Sequence, residues 1–416
     1  MTLANFADVA GYSFTAIDGS VSAPHGFRAA GIACGIKKAG GLDLALIVSD
    51  APASAAAVFT TNKAQAAPIL VSKARLHASG GRARAVAINS GCANACTGPE
   101  GLATAEAMAD AAAAACGCAA AEVLVASTGV IGVALDRARV TAGIAAAATA
   151  LTTAGGPSAA RAIMTTDPFP KEAAVEAIAA RAAGGSFRVG GIAKGSGMIE
   201  PLMATMLAVV TTDAAVEPAL LQRALAAVTE VTFNAISVDG ECSTNDCVFA
   251  LANGASGVAL GERDFPVLVE ALRQVCEPLA VGIVRGGEGA TRLVTVEVTG
   301  ARTVAEAKQA ARAISNSPLV KTAVHGADPN WGRLVAVAGR AGVGFNLDGA
   351  RVRIGNVELF AGGRPFDERA ADASAHLQGR EVSLHVDLGT GGDGAARMWT
   401  CDLSADYVKI NAEYRT

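Results

Sequence analysis

The sequence predicts an α+β protein in two lobes. Strand-like segments, alternating or wholly apolar, are mixed with Ala-rich and amphipathic helical segments along the chain. No repeated βαβ period and no dinucleotide-binding glycine fingerprint accompany them, which favours layered sheets and helices over a doubly wound sheet. A chain of 416 residues also exceeds the usual limit of a single hydrophobic core, so two lobes are expected.

The composition excludes several classes of partner. Aromatic residues are 4% of the chain and the net charge is −4, so a nucleic-acid partner is not expected. The first residues lack the pattern of a signal peptide, and no run of about 18 apolar residues predicts a membrane span. The nine cysteines show no C-x-x-C spacing and the five histidines are scattered. We therefore expect free thiols, no metal site and a cytoplasmic location.

The first half of the chain alternates strands with Ala-rich helices. Residues 31–58 are Gly-rich and alternating, which predicts short strands and turns. A buried strand over 85–90 ends in the polar loop 91–98, which either lines a site or simply connects to the next element. An Ala-rich helix follows over 102–121 because alanine has the highest helix propensity. A strand over 123–126 then enters Ser-Thr-Gly.

The remaining elements follow the same rules. Thr303 and Glu306 form a capping box, and proline is tolerated in the first turn of a helix at 218. Helices are predicted over 134–160, 218–229, 265–279 and 303–314. Strands are predicted over 187–193, 293–298, 334–338, 351–355 and 381–386.

A central stretch of the chain permits two interpretations. Thr205 follows Ala204 inside the apolar segment 203–210. It is either an ordinary strand residue, since β-branched side chains suit a pleated sheet, or the product of self-cleavage at the Ala204–Thr205 bond. In the second case the new α-amine, with a pKa of about 7.7–8.0, would act as base for the adjacent hydroxyl. Spacing alone does not decide between them.

A resemblance favours self-cleavage. The stretch Lys194-Gly-Ser-Gly-Met-Ile-Glu-Pro-Leu-Met-Ala-Thr-Met-Leu207 closely resembles the processing signature of the ornithine acetyltransferase family of arginine biosynthesis. Members cut themselves at the Ala-Thr bond and carry an acetyl group on the freed threonine. The resemblance implies an αββα sandwich of the self-processing N-terminal-nucleophile type, with chains 1–204 and 205–416 after cleavage.

The resemblance also implies roles for residues around the nucleophile. Thr128 and Gly129 match the oxyanion hole, although Ser-Thr-Gly after a strand is by itself typical of a plain turn. Thr165 matches a substrate contact, while Pro168 alone would explain the end of a helix there. Lys194 matches a contact that would suit a substrate carboxylate.

Further candidates lie in the C-terminal half. Glu288, between glycines, matches the residue that holds a substrate ammonium; its alternative is an exposed loop tip. Asn411 and Thr416 match residues that close over substrate. The polar block 233–246 is assigned to the lining without a chemical role. His325 is assigned a structural role because the α-amine of Thr205 would already supply a base.

Three hypotheses follow. In the first, Thr205 takes acetyl from N-acetylornithine and passes it to glutamate, giving ornithine and N-acetylglutamate. No cofactor is expected, although acetyl-CoA could be a second donor, and the resemblance implies a heterotetramer of two α and two β chains. The second is a self-processing aminopeptidase or amidohydrolase, in which water accepts the acyl group. The third is an Ala/Gly-rich binding protein that stays uncut.

Overall fold

The computed structural model describes residues 11–180, 185–200 and 206–413. They form two compact units. The larger unit takes the described residues up to 234 together with 241–283, and the smaller unit takes 235–240 and 284–413. Each unit combines a mixed sheet with helices, so the predicted α+β class with two lobes is confirmed.

The larger unit contains two sheets and six α-helices among its described residues. The strands are β1 (Tyr12–Ala16), β2 (Phe27–Ile32), β3 (Leu44–Phe59), β4 (Arg82–Cys92), β5 (Val123–Val130), β6 (Lys171–Ala179), β7 (Ser186–Lys194), β8 (Leu207–Thr212), β9 (Ala215–Val216), β10 (Cys247–Ala252) and β11 (Ala259–Leu260). The helices are α1 (Ala67–Ala78), α2 (Gly98–Cys116), α3 (Arg137–Thr149), α4 (Gly156–Ala162), α5 (Pro218–Val231) and α6 (Phe265–Arg285), whose last turn crosses the boundary between the units.

The main sheet consists of two half-sheets that the long strand β3 joins. One half-sheet contains β2, β4 and β5, and the other contains β10, β8, β7, β6 and β1. The first part of β3, Leu44–Val48, pairs with β2 and β4, and its last part, Ser54–Phe59, pairs with β10. The register shifts between Val48 and Ala53, where such an irregularity bends a strand. The sheet order is β1-β6-β7-β8-β10-β3-β4-β5, with β2 also on β3. Alternate side chains from the two halves share one buried cluster that includes Val86, Leu124, Val209 and Phe249.

Helices cover both outer faces of this folded sheet. On one side, the opposite faces of β3, β4 and β5 pack against Met108 of α2 and Ile144 of α3. On the other side, the face of β7 that carries Gly191 meets Val275 and Leu279 of α6. The order of layers is therefore helices, half-sheet, half-sheet, helices, which is the expected αββα sandwich.

The smaller unit has its own sheet and core. Its strands are β12 (Leu293–Ala301), β13 (Arg351–Ile354), β14 (Val357–Ala361), β15 (Arg364–Pro365), β16 (Glu381–Asp387) and β17 (Gly394–Cys401), in the order β15-β14-β13-β16-β12-β17. Its helices are α7 (Val304–Ser315), α8 (Pro318–His325), α9 (Trp331–Gly339), α10 (Ala370–Leu377) and α11 (Ala405–Glu413).

Three predicted elements are wrong. The single helix expected over 134–160 is divided into α3 and α4, because residues 150–155 are not helical. The expected strand over 334–338 lies in helix α9. The Asn330 side chain caps that helix, and Leu334, Val337 and Ala338 are buried at helical spacing. The short strands expected over 31–58 are instead dominated by the 16 residues of β3. Gly, Ala and Pro within that segment suggested turns, whereas pairing on both sides keeps it extended.

No helix among the described residues has the length and apolarity needed to cross a lipid bilayer.

Small residues set the distance between α4 and β2. A Cβ atom added to Gly31 would lie 2.0 Å from the backbone oxygen of Ser158, which is much closer than van der Waals contact. The backbone of α4 therefore packs directly on β2, and no side chain separates them.

We expect Gly31→Ala to lower the free energy of unfolding by about 1–3 kcal/mol or more, because overpacking against backbone forces the layers apart. Gly261→Ala is the matched control, since an added Cβ there meets nothing within 4 Å. Urea unfolding of both variants measures the difference. Equal stabilities would contradict the close packing.

Candidate active site

Polar residues gather where several strands of the larger unit begin or end. Lys194, the last residue of β7, pairs with Leu207 at the start of β8, which in turn pairs with Cys247 at the start of β10. The residues flanking these positions therefore lie along one edge of the half-sheet. They include Gly195, Met206 and Asp246.

Thr128 and Lys194 meet although their strands are distant in the sheet order. Five pairings separate β5 from β7, which would be about 24 Å in a flat sheet. The folded sheet instead places Lys194 Nζ 3.1 Å from Thr128 Oγ1, with both side chains buried. An ammonium can only donate, so the threonine oxygen accepts and its own hydroxyl hydrogen can be donated elsewhere.

Gly129 follows Thr128 in a conformation that requires glycine. Its φ is +125°, and an added Cβ would lie 2.4 Å from the carbonyl carbon of Gly91 and 2.6 Å from the nitrogen of Cys92. β4 and β5 are parallel neighbours here, so their backbones come into direct contact. A hydroxyl and a backbone N–H on adjacent residues can together bind one oxyanion.

Asp167 organises the polar cluster beside Lys194. Its Oδ1 accepts from Lys171 Nζ at 2.6 Å and from the backbone N–H of Gly195 at 2.7 Å, and its Oδ2 accepts from the N–H of Thr165 at 2.9 Å. Both Asp167 and Lys171 are buried. The predicted substrate residue Thr165 is thus held by its backbone on the same carboxylate that touches the residue after Lys194.

Opposing effects determine the pKa of Asp167. Burial would raise the pKa of the carboxyl group, but the charges of Lys194 and Lys171, with the hydrogen bonds to it, lower that pKa to about 2. Burial lowers the pKa of Lys171, and the charge of Asp167 opposes that change. Asp167 is therefore a buried, ionised carboxylate with two ammonium groups close to it, those of Lys171 and Lys194.

The dipeptide Asn245–Asp246, immediately before β10, contacts both halves of the sheet. Asn245 Nδ2 donates to the carbonyl oxygens of Ala93, at 2.6 Å, and Ser127, at 2.9 Å. Asp246 Oδ1 accepts from the backbone N–H of Met206 at 2.8 Å. The dipeptide thus joins the residue before Thr128 to the first described residue after Thr205.

In the smaller unit, Glu288 and Asn411 form a pair. Asn411 Nδ2 donates to Glu288 Oε2 at 2.9 Å, and Glu288 is buried. Gly289, at φ +69°, allows close approach to α11, because an added Cβ would lie 2.5 Å from the nitrogen of Tyr407. Glu288 is therefore not an exposed loop tip.

His325 lies in a separate network of the smaller unit. Its Nδ1 is 2.6 Å from Asp402 Oδ2, and Asp402 also accepts from the N–H and hydroxyl of Thr291. Burial would raise the pKa of Asp402, but these hydrogen bonds lower it. Asp402 thus links the start of β12 to the end of β17, and His325, the last residue of α8, contacts that link.

The structure brings some predicted residues together and leaves others untested. Thr128, Gly129, Lys194 and Thr165 lie in one cluster of the larger unit, and Glu288 pairs with Asn411 in the smaller unit. The predicted residues Ala204, Thr205 and Thr416 lie outside the described residues.

Four buried residues of the larger-unit cluster had no predicted chemical role. Asp167 and Lys171 flank Pro168 and Pro170, and these prolines alone were enough to explain the end of a helix in that segment. Asn245 and Asp246 belong to the polar block 233–246, whose density of hydrogen-bonding groups was the available signal. Across the described residues, no group of three or more His, Cys, Asp or Glu side chains is arranged to hold a metal ion.

Comparison with known proteins gives consistent results along the chain. The sequence profile of the ArgJ family matches residues 28–416. The chain is 50% identical over 414 residues to the arginine biosynthesis bifunctional protein ArgJ of Synechococcus sp., covering 96% of this chain and 98% of that protein. It is 48% identical over 418 residues to the protein of the same name from Thermosynechococcus vestitus, covering 96% and 99%.

A solved structure also matches about half of the chain. It is the ornithine acetyltransferase of Mycobacterium tuberculosis, complexed with ornithine. The present chain is 44% identical to it in the matched region. The match covers 98% of that chain and 45% of the present chain, with a TM-score of 0.41.

We expect Asp167→Asn to destabilise the protein by about 3–5 kcal/mol near neutral pH, because two buried ammonium groups lose their counter-charge. The pKa of Asp167 in the folded state is below its usual value. The stabilisation that its carboxylate gives to the folded state is therefore complete above about pH 4 and is lost as the pH falls towards 2. The stability difference between wild type and variant should therefore narrow in acid, by about 2 kcal/mol.

Urea unfolding at several pH values measures this difference. Asp50→Asn is the control, because its ion pair with Arg28 is exposed and worth at most about 1 kcal/mol. A difference between wild type and Asp167→Asn that does not change in acid would contradict the assignment.

Proposed function

The chain belongs to the ArgJ family, and on that premise we propose that it transfers acetyl from N-acetylornithine to glutamate through an acetyl ester on Thr205. Ornithine leaves first, and glutamate then takes the acetyl group to give N-acetylglutamate in arginine biosynthesis. The family match over residues 28–416 supports the activity. The contact between Thr128 and Lys194 is the observation that supports the mechanism.

The chemistry is divided among few groups. Self-cleavage between Ala204 and Thr205 frees an α-amine, which takes the proton of the Thr205 hydroxyl as that oxygen attacks the acetyl carbonyl. The hydroxyl of Thr128 and the N–H of Gly129 donate to the oxyanion that forms. Because Thr128 already accepts from Lys194, its hydrogen is directed away from the ammonium, which pre-orients the donor before substrate binds.

Charged residues then match the two amino-acid substrates. Lys194 has three N–H donors and uses one on Thr128, so others remain for a substrate carboxylate. Thr165 adds a polar contact. The carboxylate of Glu288, oriented by Asn411, would bind an ammonium such as that of ornithine, with Thr416 closing the site.

The assembly and compartment are proposals of the same kind. We infer an α chain of residues 1–204 and a β chain of residues 205–416, assembled as a heterotetramer of two of each in the cytoplasm. No cofactor is required. Acetyl-CoA could serve as a second acetyl donor, in line with the word bifunctional in the names of both relatives.

Thr205→Ala should give one uncut chain of 41.3 kDa without activity, because both cleavage and transfer use the same hydroxyl. Wild type should give two chains on a denaturing gel. After incubation with N-acetylornithine alone, intact mass should show one acetyl group on the chain that begins at Thr205. Release of ornithine should then depend on glutamate. An active, cleaved Thr205→Ala protein, or acetate as the main product, would overturn the proposal.

We expect Thr128→Val to lower kcat by about 10²–10³-fold, the usual effect of losing one oxyanion donor. Valine keeps the volume of threonine but removes the acceptor of Lys194, so the thermal midpoint is measured with the rate to show that the variant is folded. Thr128→Ser restores the hydroxyl and should recover most of the rate. Steady-state kinetics of the fully cleaved proteins provide the measurement. A kcat of Thr128→Val equal to that of Thr128→Ser would exclude the hydroxyl from catalysis.

A further inference from the structure

Lys37 packs close to Gly129, yet the proposed mechanism gives it no role. A Cβ atom added to Gly91 would lie 3.0 Å from Lys37 Cγ and 3.3 Å from its Cα. Gly91 in turn pairs with Gly129 across the parallel strands β4 and β5, and an added Cβ on Gly129 would lie 2.4 Å from the carbonyl carbon of Gly91. A single glycine backbone therefore separates the stem of Lys37 from Gly129.

The loop that carries Lys37 is fixed by the buried carboxylate of Asp43. The two oxygens of this carboxylate accept from the backbone N–H groups of Cys34, Ile36 and Lys37, at 2.7, 2.7 and 3.1 Å. The carbonyl oxygen of Asp43 accepts from the N–H of Ser90 at 2.9 Å, which ties the loop to the end of β4. Burial lowers the pKa of Lys37, and the charge of Asp43 opposes that change. Lys37 thus has a defined place in the larger unit.

The segment that leads to Asp167 starts at the same end of β4. The hydroxyl of Ser90 donates to the carbonyl oxygen of Ala162, the last residue of α4, at 2.6 Å. Asp167 follows a few residues later in the chain and lies beside Lys194 in the polar cluster. The charge of Asp167 raises the pKa of Lys37 and the charge of Lys194 lowers it. Lys37 therefore belongs to the same polar cluster as these two residues.

Two lysines of the cluster have no carboxylate within ion-pair distance among the described residues. Lys171 forms an ion pair with Asp167 at 2.6 Å. The ammonium of the buried Lys194 donates only to a hydroxyl, and that of the half-buried Lys37 donates only to a carbonyl oxygen, at 2.7 Å. Each of these two ammonium groups keeps further N–H donors, and lysine is seldom buried unless it is paired. The pair suits a ligand that brings two carboxylates.

We propose that Lys37 selects the acetyl acceptor by binding the side-chain carboxylate of glutamate while Lys194 binds its α-carboxylate, an inference that rests on the proposed function. N-acetylornithine has one carboxylate and uses Lys194 alone. Glutamate has two, and glutamine differs from it only by an uncharged amide in place of the second. A hydrogen bond between an ammonium and a carboxylate is about twice as strong as one between neutral groups. Lys37 therefore acts in the second half-reaction and favours glutamate over glutamine.

The test measures the two half-reactions of the cleaved enzyme separately. With N-acetylornithine alone, Lys37→Met should release a burst of ornithine at the wild-type rate as the acetyl-enzyme forms. With glutamate as acceptor, its kcat/KM should fall by about 10- to 100-fold, because one hydrogen bond to a charged group is lost. The preference of the acetyl-enzyme for glutamate over glutamine should fall by a similar factor. Rapid-quench assays of ornithine and of the acetylated amino acids provide the measurements.

Lys38→Met is the matched control, because Lys38 is the next residue and is exposed. Its burst, its kcat/KM for glutamate and its preference should be those of wild type. An unchanged preference for glutamate in Lys37→Met would overturn the proposal, as would an equal loss in both half-reactions. Lys37→Gln is made in parallel, and absence of the ornithine burst from both Lys37 variants would also overturn a role confined to the acceptor. Wild-type protein that forms no acetyl-enzyme would instead refute the proposed function.

Discussion

The bend in β3 is the constraint on which the larger unit depends. One continuous strand supplies a pairing partner to β2 and β4 at its start and to β10 at its end. The sheet therefore folds over itself without a break in the chain, and its inner faces bury one apolar cluster. The same fold brings the end of β5 to the end of β7. The Thr128–Lys194 contact joins these two ends.

Burial of that edge changes the behaviour of its charged groups. Desolvation disfavours every charge, and the outcome at each residue depends on how many donors surround it. Asp167 has two ammonium neighbours and stays ionised, with its pKa lowered to about 2. Burial raises the pKa of Asp246 well above its usual value, because the N–H of Met206, the charge of Lys194 and the groups of Ser243 oppose desolvation only in part. The pKa values of two carboxyl groups at the same edge are thus shifted in opposite directions.

Sequence patterns predicted the local structure well and the long-range structure less well. Apolar runs gave the strands at 123–126 and 187–193, and the resemblance gave the pairs that the structure brings together, such as Glu288 with Asn411. The strand predicted over 334–338 failed because short apolar runs do not separate helix from strand. The bend in β3, the contact of Asp167 with Gly195 and the contact of Asp246 with Met206 join residues more than 25 positions apart in the chain, which no local pattern records.

Adjacent residues Asn245 and Asp246 reach opposite halves of the sheet, one to Ser127 and the other to Met206. Any shift of the chain before β10 would displace both attachments at once. A change in the position of Met206 would then be accompanied by a change at Ser127, and neither could be adjusted independently of the other. Selection would therefore act on the two positions as a single trait.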